Sequence, residues 1–365
     1  AKGSIGKPGA GTCPVRGHSN VQGDRTMGIW EKPKEVFLAA LDSHFKINTP
    51  RDYGYDAVES IEAMNKGDIK LYMAVGGNFI SATPDSEYTG NAVQNCDLTI
   101  QVSTKLNRSH IVTGKEALIL PCISRSETDI QKSGKQFLTV ENSMGVVHRS
   151  KGSFDPASPH LLSEHAIIGN IAQASFDNTS VNWQNMIDDY SEVRNHIAST
   201  IAGFDNFNEK IKNPAGFYLP NGARDRNFAM PNKKAKFTIN PIPKRKVADG
   251  NFIMMTIRTH DQYNTTIYGM DDRYRGIINE RRVVLMNSQD MKAKGLKQLQ
   301  QVNLKSIFNG EERVAHNFKI VEYDIAKGCI ATYFPETNVL VPIKSVAKKS
   351  NTPVSKFIEV DILTH

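Results

Sequence analysis

The 365-residue chain reads as an α/β region built on a parallel sheet, followed by an all-β C-terminal region of barrel or sandwich type. Three observations predict this. Between residues 56 and 120, short apolar runs alternate with helical patterns. At 213–235 the composition changes to NPAGFYLPNGARDRNFAMPNKKA, rich in Pro, Gly and Asn, which reads as a linker or a long crossing loop. Beyond it, short apolar runs recur between turns.

Taken in order, DAVESIEAMNK (56–66) predicts a short amphipathic helix. Asp56 caps it, Glu59 occupies the third helical position and Gly67 ends it. IKLYMAV (69–75) predicts a buried strand, followed by the turn GGN and a helix from Pro84 to about Gln94. Leu98–Val102 and Ala117–Leu120 predict two further strands. Helical spacing recurs at 161–176 and 182–201. In the last third, FTI, FIMMTIRT, RVVLMN, HNFKIVEYDI, CIATYF, VLVP and FIEVDI read as strands, with one small helix near Gln289–Lys294.

The net charge is +7 and unevenly placed. Residues 1–230 carry 23 Lys/Arg against 25 Asp/Glu, whereas 231–365 carry 22 against 13. A basic C-terminal region suits an anionic partner: nucleic acid, a phosphate-bearing cofactor or an acidic domain. Few aromatics interleave with the charges, and no helix-turn-helix or RNA-binding signature appears, so nucleic acid is not expected. No apolar run is long enough to cross a bilayer, and no secretory pattern opens the chain. The cysteines, Cys13, Cys96, Cys122 and Cys329, are far apart with no C-x-x-C pair. That pattern argues against a zinc or iron–sulfur site held by this chain alone, and fits reduced thiols in a cytoplasmic protein. No metal ligands are assigned.

GKPGAGTCPVRGHSNVQGD (6–24) suits neither helix nor strand. Its glycines permit close backbone approach to a ligand, and successive main-chain N–H groups in such loops cradle phosphate. Arg16 brings a planar fork for a carboxylate or phosphate. Ser19, Asn20 and Gln22 offer donors and acceptors for a heterocycle. It is not a P-loop, because G-K-[ST] is missing. Gly77, Asn78 and Asp85 fall on the loop leaving a parallel strand, the edge where open α/β sheets bind nucleotides, and Gln101 lies at the end of the next strand.

The segment GKPGAGTCPVRGHSNVQGDRTMG resembles one in molybdopterin oxidoreductases, especially the formate dehydrogenase alpha-subunit group: a glycine-rich run, Pro, a hydrophobic residue, Arg-Gly and Asn-Val-Gln-Gly. YMAVGGNFISATPD (72–85), TKLNRSHIVTGKEALILPC, TIRTHDQYNTT (256–266), MNSQDMKAKGL (286–296) and ATYFPETNVLVP followed by Lys356 resemble further segments in the same order. Glu141–Gly145 matches a family loop lining the cofactor funnel.

The resemblance implies a partial Rossmann-like α/β domain and a C-terminal double-psi barrel. It implies these divisions: 1–18, the tail of a preceding α/β domain; 19–212, the second half of a molybdopterin-binding α/β domain; 213–235, a linker; 236–365, the dinucleotide-binding barrel. The chain then looks like the C-terminal half of a catalytic subunit. The implied cofactor is molybdenum held by two molybdopterin guanine dinucleotides, with an iron–sulfur cluster in the other half of the polypeptide. That half, a small substrate such as formate and an electron-transfer protein are the implied partners, and this portion alone would be inactive. A non-catalytic module binding a guanine nucleotide or a protein is the alternative.

On the same resemblance, Arg16 matches the active-site arginine that orients a substrate carboxylate. His18, standing where formate dehydrogenases have glutamine, would relay a proton or bond a pterin. Gly17, Asn20, Gln22, Gly77, Asn78, Asp85 and Gln101 are the implied cofactor contacts of the α/β part. Arg258, Gln262, Asn264, Thr265, Asn338 and Lys356 are those of the barrel. Cys122 reads as a small buried hydrophobe.

Overall fold

A computed structural model describes residues 3–15, 20–177, 179–242, 247–265 and 267–364. The chain forms two compact units, residues 1–54 with 121–242 and residues 55–120 with 243–365. The chain thus passes from one unit to the other three times, and the predicted strands of 69–120 share a unit with the C-terminal strands.

In the first unit, strands Leu138–Glu141 and Val146–Ser150 form an antiparallel pair, extended by Phe217–Tyr218. One piece of the 213–235 stretch is therefore sheet rather than loop. Phe217 packs with Phe204, Phe207, Ile211 and Val147 into a small core. The helix predicted at 161–176 is Glu164–Ser175, with Ser163 Oγ accepting from the Ala166 amide at 3.2 Å. The stretch 182–201 is two helices, Trp183–Asp188 and Tyr190–Thr200. Asp189 separates them in extended conformation and caps the second through the Ser191 amide at 2.8 Å. An aspartate gains more from capping than from the middle of a helix. Cys122 is buried, and burial pushes its thiol up to about 11, as expected of an inert apolar side chain.

The second unit opens with helix Ala57–Lys66. Its capping box is complete. Asp56 Oδ1 accepts from the Val58 and Glu59 amides at 2.9 and 3.0 Å, and Glu59 Oε2 accepts from the Asp56 amide at 2.9 Å. Gly67 closes the helix at φ +81°. Strands Leu71–Val75, Leu98–Ser103 and Glu116–Pro121 form one sheet in that order, the first two parallel from Leu71 opposite Leu98 to Val75 opposite Val102. Leu98–Ser103 is the central, buried strand. Leu71–Val75 is an edge strand with Leu71 and Val75 about half exposed, which corrects the buried strand predicted there. The helix predicted from Pro84 begins at Ser86, after a separate turn at Phe79–Ala82.

The C-terminal part is a closed six-stranded barrel. Around it run Val283–Met286, Glu311–Glu322, Gln301–Phe308, Ile358–Thr364, Phe252–Ile257 and Cys329–Tyr333, which returns to the first. Val283–Met286 pairs in parallel with Glu311–Glu322, as does Cys329–Tyr333 with Phe252–Ile257; the other pairs are antiparallel. Met254, Val284, Met286, Leu304, Ile320 and Ile330 are wholly buried inside, each contributing about 1.5–3 kcal/mol of burial. FTI is not a strand: Phe237 and Ile239 are largely exposed. VLVP is a 3₁₀ turn, Asn338–Leu340, with Leu340 and Val341 buried in the barrel core. Gln301–Phe308 is a strand that the sequence pattern hides, because its inward positions Val302, Leu304 and Ser306 end on a serine. Ser306 Oγ donates to the Leu340 carbonyl at 2.8 Å, which makes a buried hydroxyl tolerable there. The predicted small helix is Ser288–Lys294.

Candidate nucleotide-binding cavity

Within the second unit, the chain leaves strand Leu71–Val75 through Gly76 and Gly77, at φ +68° and +77°. A β-carbon at either would meet nothing within 4 Å, so open space lies above this turn. Positive φ is the conformation glycine adopts without strain. Asn78 then caps Phe79–Ala82, its Oδ1 accepting from the Ser81 amide and from Ser109 Oγ, each at 3.4 Å. Its Nδ2 donates to the Thr265 carbonyl at 3.0 Å, tying the sheet's turn to the barrel. Asn107 works from the loop after the next strand: Nδ2 donates to the Gly77 carbonyl at 2.8 Å, and Oδ1 caps the turn Arg108–His110 through the Ser109 amide at 2.9 Å.

These turns border a cavity of about 580 Å³. Asn78, Ser81 and Asn107 line it from the sheet side, Thr265 and Tyr268 from the barrel. Arg108, Arg282 and His316 bring basic groups to it, and Glu87 and Glu336 bring carboxylates. Arg282 is anchored by its Nη1, which donates to the His316 carbonyl at 3.1 Å. The Glu336 and Tyr268 walls are fixed by buried Arg281. Its Nε donates to Glu336 Oε1 at 2.6 Å and its Nη2 to Glu336 Oε2 at 3.1 Å, while the guanidinium lies 4.3 Å from the Tyr268 ring centroid. Arg281 also donates to the Phe334 carbonyl at 2.8 Å and to Gln262 Oε1 at 3.1 Å. Burial raises the Tyr268 hydroxyl pKa, and the Glu336 charge adds to it. Thr265 Oγ1 is buried and has no hydrogen-bond partner. An unpaired buried hydroxyl costs about 1–3 kcal/mol.

Of the residues singled out from sequence, Asn78 and Thr265 meet at this cavity. Gly77 forms the adjoining turn. Several others are committed within the protein. Asp85, at φ +50°, accepts two hydrogen bonds from Arg313. Asn338 Nδ2 donates to the Ser81 and Thr83 carbonyls at 2.7 and 3.2 Å. Gln101 Nε2 donates to the Ser109 carbonyl at 3.1 Å. Gln262 Nε2 donates to the carbonyls of Asn264 and Phe334 at 2.8 and 2.9 Å, with Asn264 at φ +53°. Arg258 is exposed, its guanidinium 5.5 Å from the Phe334 ring centroid. The Lys356 stem keeps accessible surface while its ammonium donates to the Thr256 carbonyl. Burial of that end lowers its pKa, and neighbouring Arg258 lowers it further. Arg108, Tyr268, Arg281, Arg282 and Glu336 were missed. NRSH following a parallel strand was the available signal for Arg108.

In the first unit, Asn20 adopts φ +62° and its Oδ1 accepts from the Glu141 amide at 3.0 Å. Thr26 Oγ1 bridges the Gln22 carbonyl at 3.1 Å and Glu141 Oε2 at 2.6 Å. Arg16, Gly17, His18 and Ser19 lie outside the described residues. The glycine-rich segment before them borders a second hollow of about 610 Å³, with Met144, Tyr218 and Arg224 opposite. Arg224 spans that wall, 4.0 Å from the Tyr218 ring centroid, with Nη2 donating to the Met144 carbonyl at 3.0 Å. Among the described residues, no group of three or more His, Cys, Asp or Glu side chains is placed to hold a metal.

Residues 252–359 match the family model described as Molydopterin dinucleotide binding domain. Along almost its whole length the chain is similar to longer proteins. It is 50% identical to an uncharacterized oxidoreductase of Mycobacterium tuberculosis, over 98% of this chain and 47% of that protein. It is 41% identical to the protein YdeP of Escherichia coli, over 99% of this chain and 48% of that one. It is 24% identical to the F420-dependent formate dehydrogenase subunit alpha of Methanocaldococcus jannaschii, over 92% of this chain and 50% of that one. The chain thus spans about half the length of these relatives. Acetylene hydratase from Pelobacter acetylenicus shares the fold at a TM-score of 0.59 and 11% identity, over 94% of this chain and 50% of that one. The barrel is therefore a molydopterin dinucleotide-binding domain, and the chain that carries it is homologous to oxidoreductases and, distantly, to formate dehydrogenase alpha subunits.

Proposed function

We propose that this chain is the dinucleotide-holding part of a molybdenum oxidoreductase that takes two electrons from a small substrate such as formate. The observation that carries the reading is the cavity where Asn78 and Thr265 meet, lined by Arg108 and Arg282 and following in the chain on an open glycine turn. The residues fit a guanine dinucleotide. Arginine forks suit a pyrophosphate, turn amides suit phosphate oxygens, and the unpartnered Thr265 hydroxyl awaits a polar neighbour. Glu87 and Glu336 are acceptors suited to the donor edge of guanine. When bound, the molybdenum cofactor supplies the two-electron redox chemistry, while the protein binds and orients.

On this reading two such dinucleotides serve one molybdenum, the barrel is of double-psi type and the sheet is part of a Rossmann-like domain. Arg16 orients the substrate's carboxylate and His18 holds or passes its proton. The remaining length of the relatives corresponds to a half that carries an iron–sulfur cluster. The whole protein works in the cytoplasm and hands electrons to a partner protein.

The test is metal and nucleotide content of the protein isolated from cells that make the cofactor. Molybdenum with about two GMP released per metal on acid hydrolysis supports the proposal. Protein of full length that carries neither overturns it and leaves a module that binds a protein partner.

A further inference from the structure

In the first unit, helices Glu164–Ser175 and Trp183–Asp188 approach closely because Gly169 has no side chain. A β-carbon there would fall 2.6 Å from Ile187 Cγ1. Beside this crossing lies a hollow of about 290 Å³. Ile168, Met186, Ile187 and Val193 give it aliphatic walls, and Trp183 adds an aromatic one. Glu164 and His165 supply its polar groups. A hollow this apolar takes up apolar molecules rather than water, which needs several polar partners.

Trp183 Nε1 is the feature that packing leaves unexplained. It is shielded from solvent and has no hydrogen-bond partner. A buried N–H without an acceptor is destabilising, and such groups are rare in folded proteins. A ligand with an acceptor oxygen recovers that cost when the indole turns toward it. The size is at the small end for ligand sites and suits one or two rings. The charge requirement follows from the apolar walls, with Glu164 and His165 as the polar part of the lining. Both keep accessible surface but are crowded. Burial raises the Glu164 carboxyl pKa and lowers the His165 imidazole pKa, the latter against the pull of Asp129. The aliphatic and aromatic walls give an ionic occupant nothing to replace its hydration, so a neutral one is favoured.

We propose that this hollow is a binding site for a neutral, one- or two-ring molecule bearing a carbonyl oxygen, which accepts from Trp183 Nε1. The site belongs to the helices of the first unit.

The chain has two tryptophans, so Trp30→Phe leaves Trp183 as the sole indole. Acetophenone is the probe and ethylbenzene, similar in shape without the oxygen, is the comparator. Acetophenone is expected to shift the Trp183 indole N–H resonance downfield and saturably, and to bind roughly tenfold more tightly than ethylbenzene. Ile168→Phe, at a partly exposed wall position, is expected to abolish the shift in a protein that still folds by circular dichroism. As a second handle, Trp183→Phe should bring the two affinities together, read by fluorine resonance of 4-fluoroacetophenone in competition with each probe. No saturable shift, equal affinities in the Trp183 protein, or a shift unchanged by Ile168→Phe overturns the proposal.

Discussion

Arg313 holds Asp85 with two hydrogen bonds to one carboxylate oxygen, 3.0 Å from Nε and 2.8 Å from Nη2 to Oδ2. Both side chains are largely buried, at 12% and 7% exposure. The Asp85 amide donates to the Asn338 carbonyl at 2.9 Å, and the same Oδ2 accepts from the Ile343 amide at 3.4 Å. One aspartate thus binds the helix Ser86–Gln94 to the barrel. Burial acts to lower the Arg313 pKa, but the bonds to Asp85 and Glu311 outweigh it and raise it. Breaking this pair leaves Arg313 only its bond to the exposed Glu311, a loss of up to about 3–5 kcal/mol. Asp85→Ala is expected to lose that much in urea unfolding at neutral pH. Asp85→Ala with Arg313→Leu should recover part of it in a double-mutant cycle.

Thr265 separates a structural role from a binding one. Its hydroxyl has no partner in the protein, so replacing it with an isosteric methyl removes a desolvation cost. Thr265→Val is expected to leave the isolated chain equally stable or more stable, by up to about 1–3 kcal/mol. The same variant should retain less guanine nucleotide. Calorimetric titration with a guanine nucleotide, beside a thermal melt, checks both arms. A melt that falls by several degrees with unchanged nucleotide binding would make Thr265 structural.

What could be read from sequence and what could not follow the range of the interactions. The Asp56–Glu59 capping box and the Gly67 terminus were legible because capping is decided within three or four residues. Asn78 and Thr265 were each identified, but their hydrogen bond joins positions 187 residues apart, which no local pattern encodes. Asp85 was read as a ligand group from its place on the loop leaving a parallel strand, and Asn338 from the family resemblance. Here their partners are Arg313 and the carbonyls of Ser81 and Thr83, contacts set by tertiary closure. The strand Gln301–Phe308 stayed hidden because Ser306 takes an inward position that the barrel satisfies through Leu340.

Arg281 is the organiser of the cavity wall. Its bonds to Glu336, Gln262 and the Phe334 carbonyl need a planar fork with several donors, which lysine cannot supply. Arg281→Lys keeps the charge and loses the geometry. Guanine-nucleotide affinity is expected to fall at least roughly tenfold, and the barrel to lose about 1–3 kcal/mol for the acceptors left unpaired. Arg282→Gln, at an exposed position, should weaken binding with little effect on stability, and the loss should shrink as salt is raised. Chemical denaturation and titration at two ionic strengths distinguish the two arginines.

The last prediction concerns acid. His44 Nε2 and His196 Nδ1 are 2.7 Å apart where helices Glu35–Phe45 and Tyr190–Thr200 meet. One proton can lie between the two nitrogens, and a second charge would be repelled. Burial lowers the His196 pKa below its ordinary 6.5, His44 lowers it further, and Glu192 opposes both. Between the folded value and 6.5, the unfolded chain therefore binds more protons at this position, and stability rises with pH across that window. The loss comes on acidification, as pH falls from 6.5 through the folded value. Melting temperature measured from neutral pH down to about pH 5 should fall more steeply in the native chain than in His196→Gln, which keeps a hydrogen-bonding group without the titration. Parallel curves for the two proteins would show that this pair does not set the acid response of the first unit.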